Sequence, residues 1–268
     1  MISKVEFQQL KKFLCHHRTP EELKKFLNIL NLTEKQKYHL NNNKLILKVD
    51  NKKLKNTLIL NINSSLNCLN AFNAGCNICN KCYARNQEKI FKNYLVNNLI
   101  NYVVFNSIDN INLLNQIENA IFLSVKPIYF IRINEAGEIE NNKQLKRCEL
   151  IANFFKLHKN IKTYTYTHTR NLNLRLAKNL CILDSNKDIK YISNIKDHKK
   201  NNIFCPAKCN IKNCSMCKDK KYIEYLKNNN ITLEFYIHDS KHNIQEDTPK
   251  KLYEKNLLKI KDIEKKLN

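Results

Sequence analysis

Eight of the 11 cysteines lie in two short segments, and this distribution constrains the fold more than any other feature of the sequence. Closely spaced thiolates can surround one metal centre without the entropic cost of closing a long loop. The N-terminal residues lack the apolar stretch of a signal peptide, so we expect a cytoplasmic protein. In that reducing compartment, clustered cysteines indicate metal or redox chemistry rather than disulfides.

Four thiolates fall within the fifteen residues of the first cysteine segment, residues 68–82. Such a set could complete a tetrahedral zinc site or a four-cysteine iron–sulfur cluster. If only three of them bound a four-iron cluster, one iron would stay open for a substrate or cofactor. The candidate ligands are Cys68, Cys76, Cys79 and Cys82.

The second cysteine segment, residues 205–217, has the spacing C-x3-C-x4-C-x2-C. Four ligands in thirteen residues fit a closed site, which favours a structural role for zinc or for a second iron–sulfur cluster. The candidate ligands are Cys205, Cys209, Cys214 and Cys217. The other three cysteines lie in predicted helices or strands, where buried thiols are expected. They are Cys15, Cys148 and Cys181.

The formal net charge of +23 admits two interpretations. A surface this basic suggests a polyanionic partner such as nucleic acid. A solvated lysine-rich surface also explains the charge, because lysine is a residue of AT-rich codons and only six of the 47 basic residues are arginine. The longest apolar stretch, residues 121–133, is interrupted by Lys126, Pro127 and Arg132, so we expect no membrane span.

Helix and strand patterns alternate through the middle of the chain at intervals of roughly 25 to 35 residues. Apolar strand patterns cover residues 58–62, 126–133, 162–167 and 180–183, and helical patterns cover 85–105, 143–158 and 249–267. This alternation is typical of an α/β fold with a parallel sheet, in which chemistry sits at the carboxyl ends of the strands. Nearer the N-terminus, Thr19 before Pro20 predicts the start of a helix.

The strand over residues 126–133 ends in residues suited to ligand binding. Arg132 closes the strand, and Asn134, Glu135, Gly137 and Glu138 follow it. Glycine permits a positive φ or the close approach of a ligand to the backbone. Carboxylates at such a position accept hydrogen bonds from ammonium and hydroxyl groups. The alternative is an ordinary strand-to-turn transition with a solvated acid.

The next strand pattern, with alternating threonine and tyrosine, is followed by His168 and Arg170. Both are candidates for a clamp on a carboxylate or phosphate. Arginine is rare in this chain, so Arg170 is the better motivated of the two. The alternative for His168 is a hydrogen-bonded structural histidine.

Four motifs, in this order, resemble a phage-encoded family called gene product eighty-eight, and other phage proteins assigned to the radical S-adenosylmethionine superfamily. The first is a cysteine box that ends in Cys82-Tyr-Ala and enters a helix with Arg85. The later ones are the strand end Arg132-Ile-Asn-Glu-Ala-Gly-Glu, the strand Lys162-Thr-Tyr-Thr-Tyr-Thr-His-Thr-Arg, and Cys205-Pro with the cysteines after it. The resemblance covers roughly residues 58–218.

The resemblance implies a partial (β/α) barrel that carries a [4Fe-4S] cluster at the top of its first strand, with S-adenosylmethionine on the open iron. The implied ligands are Cys76, Cys79 and Cys82, or Cys68, Cys76 and Cys82 with Cys79 spare. The superfamily usually has C-x3-C-x2-C spacing, whereas this chain has C-x2-C-x2-C. The residues implied to bind the cofactor are Tyr83, Arg132, Asn134, Glu135, Gly137, Glu138, His168 and Arg170.

Three regions follow from these patterns and from the resemblance. Residues 1–57 form an N-terminal helical and strand extension, residues 58–200 the partial βα barrel with the first cysteine segment, and residues 201–268 a C-terminal metal site followed by a helix-strand-helix tail. The first functional hypothesis is an iron–sulfur enzyme of the radical S-adenosylmethionine type. The second is a zinc-stabilised protein that binds nucleic acid without catalysis. A third is a cluster-bearing protein that lacks S-adenosylmethionine chemistry.

Overall fold

The structure, a computed structural model, describes residues 1–50, 54, 56–69, 82–169, 171–184, 189–192, 203–205, 220–236 and 250–267. Its centre is an open five-stranded sheet of the order β1-β2-β3-β4-β5, in which β1 is antiparallel to β2 and all other neighbours are parallel. The predicted α/β class with a mostly parallel sheet is therefore confirmed, and the sheet is not closed. The strands are β1 (Lys48–Val49), β2 (Thr57–Leu60), β3 (Phe130–Ile133), β4 (Lys162–Thr167) and β5 (Cys181–Asp184).

Helices precede the sheet, connect its strands and follow it. They are α1 (Lys4–Phe13), α2 (Pro20–Asn28), α3 (Glu34–Asn41), α4 (Tyr83–Ile90), α5 (Lys92–Ser107), α6 (Asn110–Phe122), α7 (Asn142–Lys159), α8 (Lys220–Asn228) and α9 (Lys250–Leu267), with a 3-10 turn at Leu174–Leu176. A second, parallel sheet has the order β6-β8-β7. Its strands are β6 (Ile189–Ile192), β7 (Ile203–Cys205) and β8 (Leu233–Tyr236). Among these described elements, no helix is long and apolar enough to cross a membrane.

The strands β2 to β5 follow one another in sequence order without a reversal. The connecting helices α5, α6 and α7 lie on one face of the sheet, as crossovers of a single hand require. Leu58 and Ile131 on that face share a core with α5, α6 and α7. Phe130 and Tyr164 on the opposite face pack with α8 and α9. Both faces of the parallel strands are therefore covered, as such strands require.

The three N-terminal helices each begin at a capping box. Thr19 accepts a hydrogen bond from the Glu22 N–H, and Pro20 occupies the first helical position, which confirms the predicted start of α2. Leu10 and Leu27 belong to the same core as Leu99 of α5. The N-terminal helices therefore pack directly against the helices that cover the sheet.

The helix predicted over residues 85–105 is two helices. The backbone of Phe91 is extended, with φ −99° and ψ 97°, so α4 ends at Ile90 and α5 begins at Lys92. The break brings α4 beside α5, where Glu88 and Asn98 share a hydrogen bond of 2.7 Å. The periodicity on either side of Phe91 is helical, and only this packing shows where the helix is interrupted.

Candidate functional site

The carboxyl ends of β2, β3 and β4 lie along one edge of the sheet, as they do in any run of parallel strands. We call residues 61–68, which follow β2 and lead into the first cysteine segment, the stem. The residues predicted at the end of β3 lie at this edge, and His168 follows β4 directly. The structure therefore brings the strand-end motifs and the base of the first cysteine segment to the same side of the molecule.

Glu138 and His168 contact each other across the ends of β3 and β4. Glu138 Oε1 accepts a hydrogen bond from His168 Nδ1 at 2.9 Å. Its Oε2 atom accepts from the His168 backbone N–H at 3.1 Å and from the Thr167 hydroxyl at 2.9 Å. In the neutral imidazole, a proton on Nδ1 leaves the lone pair on Nε2. Glu138 thus selects the tautomer and the orientation of the His168 ring. The two residues were predicted as separate candidates, and this hydrogen bond links them.

Asn134 is buried at the end of β3, and its side-chain amide is only partly satisfied by the described residues. Its backbone has a positive φ of 61°, and the residue is 4% exposed. The Oδ1 atom accepts a hydrogen bond from the Ile62 N–H at 2.9 Å, whereas the buried Nδ2 atom has no hydrogen-bond partner among the residues that the structure describes. Buried amide donors are nearly always satisfied, so Nδ2 could donate to an acceptor atom of a ligand.

Gly137 has a positive φ of 78°, which is one of the two alternatives considered for this position. A Cβ atom built on it would lie 2.7 Å from the Asn63 carbonyl carbon and 2.8 Å from its oxygen. The Gly137 N–H also donates to Ser65 Oγ at 3.2 Å. The glycine therefore allows the loop after β3 to approach the backbone of the stem. The close approach at this position is made by the stem and not by a ligand.

Two further predicted residues contact neighbouring strands or the stem. The guanidinium carbon of Arg132 lies 5.0 Å from the ring centroid of Tyr166 on β4, a cation–π arrangement. The backbone N–H of Glu135 donates to Asn61 Oδ1 at 2.7 Å. Both residues are half-buried at the edge.

The stem is buried although much of it is polar, which sequence reasoning missed. Its buried polar members are Asn61, Asn63, Ser64, Ser65 and Asn67. Asparagine is frequent along the whole chain, so these residues do not stand out by composition. The available signal was a row of small polar residues directly after the apolar residues 58–60, at the end of a strand, where chemistry is expected in parallel sheets.

Glu88 of α4 is a fully buried carboxylate that sequence reasoning also missed. Its Oε2 atom accepts hydrogen bonds from the Ser64 hydroxyl at 2.8 Å and the Leu66 N–H at 2.9 Å. Its Oε1 atom accepts from Asn98 Nδ2 at 2.7 Å. Burial raises the pKa of Glu88 to about 7, although these hydrogen bonds act to lower it.

A second glutamate, Glu140, also binds the stem. It accepts hydrogen bonds from Asn63 Nδ2 at 2.6 Å and from the Tyr102 hydroxyl at 2.9 Å. Burial raises its pKa, and His17, whose Nδ1 lies 3.6 Å from Oε1, opposes that shift. Two buried glutamates therefore receive donors from one short polar stem.

The N-terminal region contacts the residue that precedes Cys68. His17 Nδ1 donates to the Asn67 carbonyl at 2.8 Å. The Arg18 N–H donates to Asn67 Oδ1 at 2.8 Å, and Asn67 Nδ2 donates to the Arg18 carbonyl at 3.0 Å. The stem is thus fixed from the N-terminal helices as well as from α4 and α5.

Only two candidate metal ligands have described side chains. Cys68 is buried at the end of the stem, and Cys82 is half-buried at the N-cap of α4. Cys205 ends β7 and Tyr83 begins α4, but their side chains lie outside the described part of the structure. Also outside it are Gly75, Cys76, Cys79, Arg170, Cys209, Cys214 and Cys217. Within the described ranges, no group of three or more His, Cys, Asp or Glu side chains could hold a metal ion.

The remaining cysteines divide by burial. Cys148 and Cys181 are buried, as expected, and burial raises the pKa of the Cys148 thiol. Cys15 is exposed, contrary to the expectation, because it lies just beyond the end of α1 rather than on its buried face. Away from the stem, the described part of the chain therefore contains one exposed and two buried thiols.

A protein-family model described as Gene product 88 matches residues 31–260. No curated protein and no solved structure matches the chain. The matched range contains both cysteine segments, the stem and the strand-end residues. It leaves out residues 1–30, and so it leaves out His17 and Arg18.

Proposed function

The chain belongs to the Gene product 88 family, and on this premise we propose that it is an iron–sulfur protein of the radical S-adenosylmethionine type. The first cysteine segment would hold the [4Fe-4S] cluster, through Cys76, Cys79 and Cys82 or through Cys68, Cys76 and Cys82. The second segment would hold zinc or a second iron–sulfur cluster. When bound, the first cluster and S-adenosylmethionine would supply one-electron chemistry at the edge of the sheet.

The described donors fit such a group. Cys68 closes the stem at the carboxyl end of β2, and Cys82 lies at the N-terminus of α4. A helix N-terminus favours the thiolate form of cysteine, and the thiolate is the form that binds metal. Both ends of the segment are therefore suited to metal ligation.

The observation that carries the cofactor proposal is the buried Nδ2 donor of Asn134, for which the described part of the chain provides no hydrogen-bond partner. S-adenosylmethionine offers carboxylate and ribose oxygens that accept such a hydrogen bond. Glu135 would accept from the ammonium group or ribose hydroxyls, and Arg132 and Arg170 would bind the carboxylate. His168, oriented by Glu138, would present Nε2 to the same ligand.

The metal content of the protein tests the first part of the proposal. After anaerobic purification we expect roughly four iron and four sulfide per chain at the first segment. Cys82→Ser should lose them while α4 keeps its start, because serine is a favoured N-cap residue. Cys15→Ser, which removes an exposed thiol, is the matched control and should retain the cluster.

Two zinc ions per chain without iron would contradict the iron–sulfur proposal. That result would favour the zinc-stabilised nucleic-acid-binding protein, to which the net charge of +23 points. Binding to nucleic acid with a strong salt dependence would then be expected.

Asn134→Asp tests the cofactor site. The aspartate keeps the acceptor for the Ile62 N–H and tolerates the positive φ, but it replaces the unsatisfied donor with an oxygen. We expect iron content to stay unchanged and the affinity for S-adenosylmethionine, followed by the shift of the cluster spectrum, to fall at least about tenfold. An unchanged affinity would remove Asn134 from the site, and a spectrum that never responds to S-adenosylmethionine would indicate a cluster protein without that cofactor.

A further inference from the structure

One carboxylate joins the two ends of the first cysteine segment. Glu88 lies on α4, the helix that Cys82 caps, and accepts hydrogen bonds from Ser64 and Leu66 of the stem that ends at Cys68. The stem precedes the chain between Cys68 and Cys82, and α4 follows it. The Glu88 side chain connects these two elements.

The same carboxylate is anchored to the sheet through a series of amides. Asn98 of α5 donates to Glu88 Oε1 at 2.7 Å, and Asn61 Nδ2 donates to Asn98 Oδ1 at 3.0 Å. Asn61 Oδ1 in turn accepts the Glu135 N–H at the end of β3. The hydrogen bonds therefore run without interruption from α4 to the loop where Asn134 lies.

A glutamine at this position could not make all of these contacts. Glutamine would direct an NH2 group at one or more of the donors from Leu66, Asn98 and Ser64, whereas a carboxylate accepts from all three. Burying a carboxylate is costly, and here every described partner can donate to it. The chemistry of the partners, and not packing alone, therefore favours a carboxyl group over an amide at residue 88.

We propose that Glu88 is a positioning residue, which holds the stem that ends at Cys68 against the helix α4 that begins after Cys82. This arrangement, which we call the clamp, fixes the two cysteines relative to each other before any metal binds. The binding of a metal by the first cysteine segment rests on the proposed function, but the clamp does not. It can therefore be measured on the metal-free chain.

Alkylation rates of individual cysteines, read by mass spectrometry on the reduced full-length chain without metal, test this clamp. Cys15 serves as the exposed reference and Cys148 as the buried one. In Glu88→Gln we expect Cys68 to react at least about tenfold faster relative to Cys15, with Cys82 also faster, because the stem opens locally. Cys148 should stay protected, since a positioning residue leaves the core intact.

Glu118→Gln is the matched control, because Glu118 is a surface residue paired with Lys159 at 3.1 Å. Its labelling pattern should equal that of the unmodified chain. Unchanged labelling of Cys68 in Glu88→Gln would overturn the proposal. Cys148 labelling that rises in parallel would also overturn it, because that pattern indicates general destabilisation.

Ser64→Ala keeps the test decisive if Glu88→Gln does not fold. It removes one of the donors to Glu88 and leaves those of Leu66 and Asn98. We expect Cys68 to react several-fold faster, with Cys148 again protected. Labelling identical to the unmodified chain would refute the clamp. Absence of iron from the purified protein would refute the proposed function but would leave this result standing.

Discussion

Replacing Gly137 with alanine is expected to lower the free energy of unfolding by about 3 kcal/mol, as the sum of two costs. The first is the strain of an alanine at φ 78°, about 1–2 kcal/mol. The second is the contact of the new Cβ with the Asn63 carbonyl group at 2.7–2.8 Å, where backbone must move at a cost of about 1–3 kcal/mol.

Chemical denaturation followed by circular dichroism measures this loss, and Asn160→Ala is the control. Asn160 also has a positive φ, 52°, but it is exposed at the end of α7, so alanine there should cost only the strain. If Gly137→Ala lowers the free energy of unfolding by no more than Asn160→Ala does, the close approach between the loop after β3 and the stem is wrong. A larger loss would mean that the stem, and Cys68 with it, depends on this one glycine.

The second large effect is a loss of stability between pH 4.5 and about 7 that depends on Glu88. The pKa of Glu88 is raised from 4.5 to about 7 in the folded chain, so the folded state holds a proton that the unfolded state has lost. The resulting stabilisation is fully present below pH 4.5 and disappears as the pH rises through 7. For a shift of this size it amounts to about 3 kcal/mol.

The unfolding free energies of the unmodified chain and of Glu88→Gln, measured from pH 4 to 8, isolate this contribution. The difference between the two unfolding free energies should change by about 3 kcal/mol over this range, because the unmodified chain loses stability relative to Glu88→Gln as the pH rises. Glu118→Gln should show no such trend, because Glu118 is a surface residue. A parallel pH dependence in Glu88→Gln would mean that Glu88 does not titrate in this range.

Local signals in the sequence predicted some of the elements, because such signals act over a few residues, whereas α3, α6, β6 and β7 were not predicted. Thr19 and Pro20 fix the start of α2, and Lys250–Leu267 matches the helix expected at the C-terminus. The interruption at Phe91 was not predicted. No proline or glycine stands there, and the break is evident only where α4 packs beside α5.

The positions of the candidate site residues were predicted from topology, and their partners were not. Because parallel strands end at one edge, Asn134 and His168 were expected on the same side of the sheet. The hydrogen bond between Glu138 and His168 spans 30 residues and depends on how the loops after β3 and β4 meet. Such pairings are set by packing, so neither residue's neighbours in sequence reveal them.

The sequence by itself determined the α/β class, the capped start of α2 and the family of the chain, because periodicity, caps and motifs are written into short stretches of residues. Only the tertiary structure decided that the stem is buried, that Glu88 joins it to α4 and α5, and that the Asn134 amide donor has no partner among the described residues. Burial and hydrogen-bond satisfaction are properties of surroundings assembled from distant segments. A glutamate or an asparagine therefore acquires its role at this edge only when the chain folds around it.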